Sequence, residues 1–255
     1  MRVEIDGAPP TAAALHHRAL VNYGHFTSMQ VRDGRVRGLD LHLQRLRTAS
    51  IELFGTDLDP NRVRGYLRTA LGADTSASVR VDVFVLPTAG EPSVMVTTRP
   101  PVDAPTEPQR LRTFVYQRTL AHLKHVGTFG QIYYGALAER EGFDEALFVG
   151  PDGAIFEGGI TNIGFVERDQ VVWPEGPMLA GVTMQLLDRV FPVYGVKTSH
   201  HIVQLSDVDY FSAVFVANST GVGPVGRVDD RELSVDETAM ELIRRAFRAI
   251  PWDTI

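Results

Sequence analysis

Of the 25 basic side chains in these 255 residues, only Lys124 and Lys197 are lysines; every other one is arginine. A guanidinium stays protonated and cannot condense with a carbonyl, whereas a desolvated amine can. A lysine is most often a surface charge. Lys197 fits that description, in the polar run GVKTSHH just past an expected helix. Lys124 follows an alternating stretch (Leu111, Thr113, Val115) that reads as a buried strand, and precedes another expected helix. Ligands commonly bind where a strand ends in an α/β unit. Downstream come a Pro151-Asp152-Gly153 turn and a lone glutamate, Glu157, just before Thr161-Asn162.

Four landmarks fall in order: HLQRL (His42 to Leu46), Lys124 followed by GFDEALFV, Asp152-Gly153 followed by IFEGGITNIGFV, and LAGVT (Leu179 to Thr183). Each is weak alone, but their order over roughly Ile5 to Val225 resembles class IV enzymes dependent on pyridoxal 5'-phosphate (PLP). These include branched-chain and D-amino-acid aminotransferases and 4-amino-4-deoxychorismate lyase. The resemblance implies a mixed α+β / α/β, two-domain, fold-type IV PLP enzyme like D-amino-acid aminotransferase. It implies that Lys124 is the catalytic Schiff-base lysine and that Glu157 pairs with the cofactor's pyridine nitrogen. Arg45, from HLQRL, would fork onto the phosphate, as guanidinium can. Backbone N–H groups at Val182 and Thr183, opening an expected helix, would add to it. The turn Asn218-Ser219-Thr220, before Pro224-Val225, resembles the second phosphate loop. Tyr23, Phe26 and Ser28 would face the active site.

The elements needed to position these groups are partly legible. Residues 2–6 read as a strand, and Asp33-Gly34 reads as a hairpin turn. Asp40 is expected to cap a helix whose apolar stripe is Leu43, Leu46, Leu53 and Phe54 and whose stop is Gly55. A second helix spans Pro60 to Leu71 between Asp59 and Gly72. VRVDVFV alternates as a half-buried strand. The four prolines between Arg99 and Pro108 mark a domain boundary. A small N-terminal α+β domain, residues 1–104, is expected before it, and a larger cofactor-binding domain, residues 109–255, after it. The second domain reads as strands near 111–116, 145–149, 154–157, 161–167, 198–203 and 213–216. Its helices read near 131–140 and 182–191, with a last one opened by a Ser234–Glu237 capping box.

Composition narrows the function classes. Hydrophobic content of 44% and charged content of 22% are ordinary for a soluble globular protein. The net charge of −6 argues against nucleic acid as a partner. No apolar run approaches the ~20 residues of a membrane span. With no cysteine, neither disulfides nor thiolate metal clusters are expected, and no metal is assigned. The expected location is cytoplasmic, and the resemblance implies a homodimer.

The chain departs at several positions from the pattern of the family it resembles. Gly127 stands where Asn is frequent, Thr128 and Phe129 where aminotransferases often carry Tyr, and Met184 where Arg commonly follows G-[IV]-T. The leading expectation is transfer of an amino group from an amino acid or amine to a keto acid. Lys124-His125 within LKH, and FTSMQVRDGRV, resemble the deoxychorismate lyases, which make p-aminobenzoate and pyruvate. A member that kept the fold as a binding protein and lost catalysis is the third expectation.

Overall fold

In a computed structural model, residues 1–87 and 89–255 are described. Their contacts divide the chain into two units. The first is Met1–Val102 with Leu123–Gly127 and Pro251–Ile255; the second is Asp103–His122 with Thr128–Ile250. The first unit's long segment ends within the proline-rich stretch. Two short later segments, one carrying Lys124, belong to it as well.

Alternating Val residues build the first unit's sheet. Its strands are β1 (Arg2–Ile5), β2 (His25–Arg32), β3 (Arg35–Arg37), β4 (Ala77–Phe84) and β5 (Ser93–Arg99), with the C-terminal Trp252–Thr254 as a sixth. They lie in the order β1-β5-β4-β2-β3 followed by the C-terminal strand. Val79, Val81 and Val83 of β4 enter a core with Met29, Val31, Leu46, Leu67 and Val96, as the period of two dictates. Helices α1 (Ala12–Leu20), α2 (Leu39–Phe54) and α3 (Pro60–Leu71) belong to this unit. Helix α3 matches its sequence signals: Asp59 accepts from the Asn61 N–H at 2.9 Å and Gly72 ends the helix.

One helix was not expected, and one expected cap needs correction. Helix α1 was not legible, because His16, His17 and Arg18 interrupt its Ala and Leu residues and leave no apolar stripe. The N-cap of α2 lies two residues before Asp40, which falls in the helix's first turn. Gly38 is its N-cap, in the left-handed region at φ 67°, where a Cβ would be strained. The first N–H of α2, on Leu39, donates to Asp253 Oδ2 at 2.9 Å. The side-chain cap thus comes from 214 residues away in sequence.

The second unit's strands are β6 (Gln109–Val115), β7 (Glu145–Val149), β8 (Ile155–Gly158), β9 (Asn162–Glu167), β10 (Gln170–Pro174), β11 (Lys197–His201), β12 (Ala213–Asn218), β13 (Gly221–Val228) and β14 (Arg231–Glu232). Eight run in the order β11-β10-β9-β12-β13-β6-β7-β8, and β14 pairs with β13. β6 is parallel to both its neighbours, and β10 is parallel to β11; the other pairings are antiparallel. Helices α4 (Phe129–Arg140), α5 (Val182–Val190) and α6 (Glu237–Ala249) complete the unit. The cap of α6 is Asp236, which accepts from the N–H groups of Thr238 and Ala239, and not Ser234. An aspartate one residue before the helix reaches two orphan donors that a serine further out does not. No helix among the described residues is long and apolar enough to cross a membrane.

Candidate functional site

In the first unit, the segment around Lys124 is fixed by its backbone. Phe26 N–H donates to Lys124 O at 2.8 Å, Val126 N–H donates to Gly24 O at 3.0 Å, and His25 bridges His125. Lys124 is thereby held beside the start of β2, with Nζ 5.0 Å from the centre of the Phe26 ring. The Arg80 guanidinium stacks on the same ring at 3.5 Å. Arg80 in turn grips Asp82 through both carboxylate oxygens, at 2.9–3.1 Å. Asp82 is buried and also bonded by Arg18 at 3.1 Å.

Arg45 lies one helical turn from His42 on α2. Burial, with the positive charges of Arg45 and Lys124, pushes the His42 imidazole down to about 3. It is therefore neutral at physiological pH, and its Nδ1 lies 2.6 Å from the Thr27 hydroxyl. Arg45 and Lys124, 79 positions apart in sequence, thus act on the same buried histidine. His42 stands inside the HLQRL run, yet nothing in its spacing marks it as the centre of this arrangement. Of the aromatic and hydroxyl residues of β2 and its approach, Phe26 stands next to Lys124, and Tyr23 is tied by its hydroxyl to Leu53 O at 2.9 Å. Ser28 pairs in register with Arg80.

In the second unit, Glu157 sits near the end of β8 and is only 5% exposed. Its Oε1 accepts from Arg118 Nε at 2.7 Å, and its Oε2 accepts from Leu179 N–H at 3.0 Å. Arg118 is equally buried and also donates to Ala121 O. Sequence reasoning missed Arg118, since one arginine among many gives no local signal. Asn162, at the start of β9, donates to Leu179 O at 2.7 Å. The turn before α5 is thus clasped by Glu157 on its amide and by Asn162 on its carbonyl. Only glycine fits at 181: a Cβ there would stand 1.9 Å from Asn162 Oδ1. Gly181 is the N-cap of α5 and offers no side-chain bond. The first-turn amides, including those of Val182 and Thr183, therefore have no side-chain cap.

The Thr183 hydroxyl donates to Asn218 O at 2.6 Å, joining α5 to the turn after β12. There Asn218 Oδ1 accepts from both the amide and the hydroxyl of Thr220, at 2.8 and 2.7 Å. Ser219 is partly exposed in this turn. Behind Glu157, Glu145 Oε1 accepts from Ile160 N–H at 2.8 Å and from the Thr161 hydroxyl at 3.0 Å. Burial pushes its carboxyl up to about 7. Among the departures from the family pattern, Gly127 N–H donates to His125 Nδ1 at 3.1 Å, Phe129 is 81% exposed, and Met184 is buried.

The architecture is that of the fold-type IV aminotransferases. A solved aminotransferase from Mycobacterium tuberculosis, described as hypothetical and in its PLP-bound form, superposes with a TM-score of 0.86 at 20% identity. That match covers 98% of this chain and 99% of the other. The same protein is also solved in an α-ketoglutarate- and PMP-bound form. The branched-chain amino acid aminotransferase of Escherichia coli gives 0.84 at 18% identity, covering 98% of this chain and 94% of that one. A sequence model of the family described as Amino-transferase class IV matches residues 24–228, and the chain belongs to that family. A curated relative from Synechocystis sp., described as a "Probable branched-chain-amino-acid aminotransferase", is 27% identical over 122 residues. That match spans 45% of this chain and 40% of the relative's length.

Proposed function

We propose that this chain is a PLP-dependent class IV aminotransferase that moves an amino group from an amino acid or amine to a keto acid. The observation that carries the reading is Glu157, a buried carboxylate with one hydrogen bond on each oxygen. It belongs to the same hydrogen-bonded frame as the uncapped N-terminus of α5. A carboxylate has about four lone-pair sites, so this one can accept a further proton donor. That suits a ring nitrogen, and the uncapped amides suit a phosphate. Family membership implies PLP.

PLP supplies an aldehyde carbon that takes up the substrate's amine and a protonated ring that draws electrons from its Cα. Lys124 would hold the aldehyde carbon through Nζ. The same Nζ would be the base that removes the substrate's Cα proton. Glu157 would keep the ring nitrogen protonated, because an opposite charge favours the protonated form. Arg45, the amides of Val182 and Thr183, and the turn Asn218-Ser219-Thr220 would bind the phosphate. The substrates are then small amines or amino acids and keto acids. The α-ketoglutarate-bound neighbour supports a keto acid as the acceptor.

A lyase reading rests on one observation, the Lys124-His125 run with the β2 strand FTSMQVR. In that case 4-amino-4-deoxychorismate would yield p-aminobenzoate and pyruvate without an acceptor. We further propose a cytoplasmic homodimer. Phe129, Ile132 and Tyr133, at i, i+3 and i+4 of α4, are large apolar residues 52–81% exposed, which supports an association surface. The test is a half-reaction. Borohydride should fix the cofactor to Lys124, and an amine donor should convert the bound cofactor to pyridoxamine phosphate. Label on Lys197, or none, would defeat the assignment. Product from deoxychorismate alone, with no donor converting the cofactor, would favour the lyase.

A further inference from the structure

The chemistry above leaves the buried ion partner of Glu157 without a role. Arg118 lies in the irregular stretch after β6 and is 4% exposed, and its partner Glu157 lies 39 positions later. Replacing a buried ion pair with apolar residues of similar volume is often neutral or stabilising. The pair is therefore poorly explained as a contribution to stability, and geometry is the better explanation.

Two donors from separate segments meet the carboxylate: Arg118 Nε on Oε1 at 2.7 Å and the Leu179 amide on Oε2 at 3.0 Å. One donor would leave the group free to rotate; two fix its plane and leave lone pairs on both oxygens. Arg118 is itself anchored, since its Nη2 donates to Ala121 O. The path continues beyond the carboxylate. Leu179 O accepts from Asn162, and Leu179 stands two residues before Gly181, the N-cap of α5. An apolar side chain at 118 would leave a buried carboxylate held by one amide. A lysine would restore the charge without the planar guanidinium fork.

We propose that Arg118 is a positioning residue that aims the Glu157 carboxylate at the ring nitrogen of the bound cofactor. The proposal rests on the reading of Glu157 given above. Arg118 acts through Glu157 and touches neither substrate nor cofactor.

The experiment compares wild type, Arg118→Met, Arg118→Lys, Glu157→Gln and the double variant Arg118→Met/Glu157→Gln, each loaded with PLP. Three readouts are taken: the visible absorption of the bound cofactor against pH, the PLP dissociation constant, and kcat and KM for an amine donor. Arg118→Met should shift the pH midpoint of the visible band in the direction Glu157→Gln shifts it. It should lower kcat at least tenfold while KM changes less than threefold. The double variant should match Glu157→Gln within about twofold, because the two residues act as one unit. Arg118→Lys should fall between wild type and Arg118→Met. A wild-type spectrum and kcat in Arg118→Met, or losses that multiply in the double variant, would overturn the proposal. If Arg118→Met does not fold, Arg118→Lys decides: a shifted band with kcat at least threefold down supports the role, and wild-type values overturn it. If Glu157→Gln behaves as wild type, the reading of Glu157 fails and takes this proposal with it. If only Arg118→Met does, the proposal alone fails.

Discussion

Arg118 Nε donates to Glu157 Oε1 across 2.7 Å, and both side chains are buried. The carboxylate proposed to face the cofactor ring therefore carries a fixed charge partner on one oxygen and a backbone amide on the other. A glutamine at 157 could accept from only one of these two donors, through its single carbonyl oxygen, and could not hold a ring proton by charge. Glu157→Gln should retain PLP and lose turnover by roughly 10²-fold or more, the scale of acid–base contributions. Single-turnover rates of the loaded variant check this. Wild-type rates would remove Glu157 from the chemistry.

Arg45 shares its electrostatic influence on His42 with Lys124. Its proposed partner is the phosphate, and a hydrogen bond to a charged group contributes ~1.5–3 kcal/mol. Arg45→Ala should therefore raise the PLP dissociation constant by about tenfold or more. Equilibrium titration of the apoprotein measures it, and unchanged affinity would return Arg45 to an ordinary surface role.

Gly181 admits no side chain while Asn162 keeps its bond to Leu179 O. Gly181→Ala must push Asn162 away or shift the turn, at a cost of about 1–3 kcal/mol for overpacking. The expected result is a lower unfolding midpoint together with weaker PLP binding, since the same turn opens α5. A lower midpoint with unchanged affinity would separate this turn from the phosphate.

The stability of the apoprotein should depend on pH through two buried histidines and a partly buried glutamate of opposing sign. His25 is held down to about 4 by burial, against the pull of Asp82, and His42 is held to about 3. Each binds its proton first in the unfolded chain, so stability falls as pH drops below about 6.5. Glu145, raised to about 7 from 4.5, does the reverse. It keeps its proton in the fold while the unfolded chain has lost it, so its contribution falls as pH rises from 4.5 to 7. Each group contributes up to about 1.4 kcal/mol per pH unit within its window. Glu145→Gln should therefore steepen the acid loss between pH 4.5 and 6.5. Urea unfolding at several pH values tests this, and an unchanged or shallower slope would contradict it.

The sequence by itself determined what depends on neighbours within a few residues. Asp59, Pro60 and Gly72 bracket α3 because caps act on the adjacent turn, and β7 and the Pro151-Asp152-Gly153 turn are legible for the same reason. The rarity of lysine singled out Lys124, and the order of four short motifs pointed to the class IV family. Only the tertiary structure decided the partners. Gly221, Gly223, Pro224 and Gly226 count against a strand locally, yet β13 forms because β12 and β6 supply its ladder. Helix α2 is capped by Asp253, and Lys124 is held by β2 rather than by the strand preceding it in sequence. Arg118 found Glu157 across 39 positions. Such pairs form when the fold removes both charges from water and leaves each as the other's compensating partner. That event depends on burial, which no local spacing encodes.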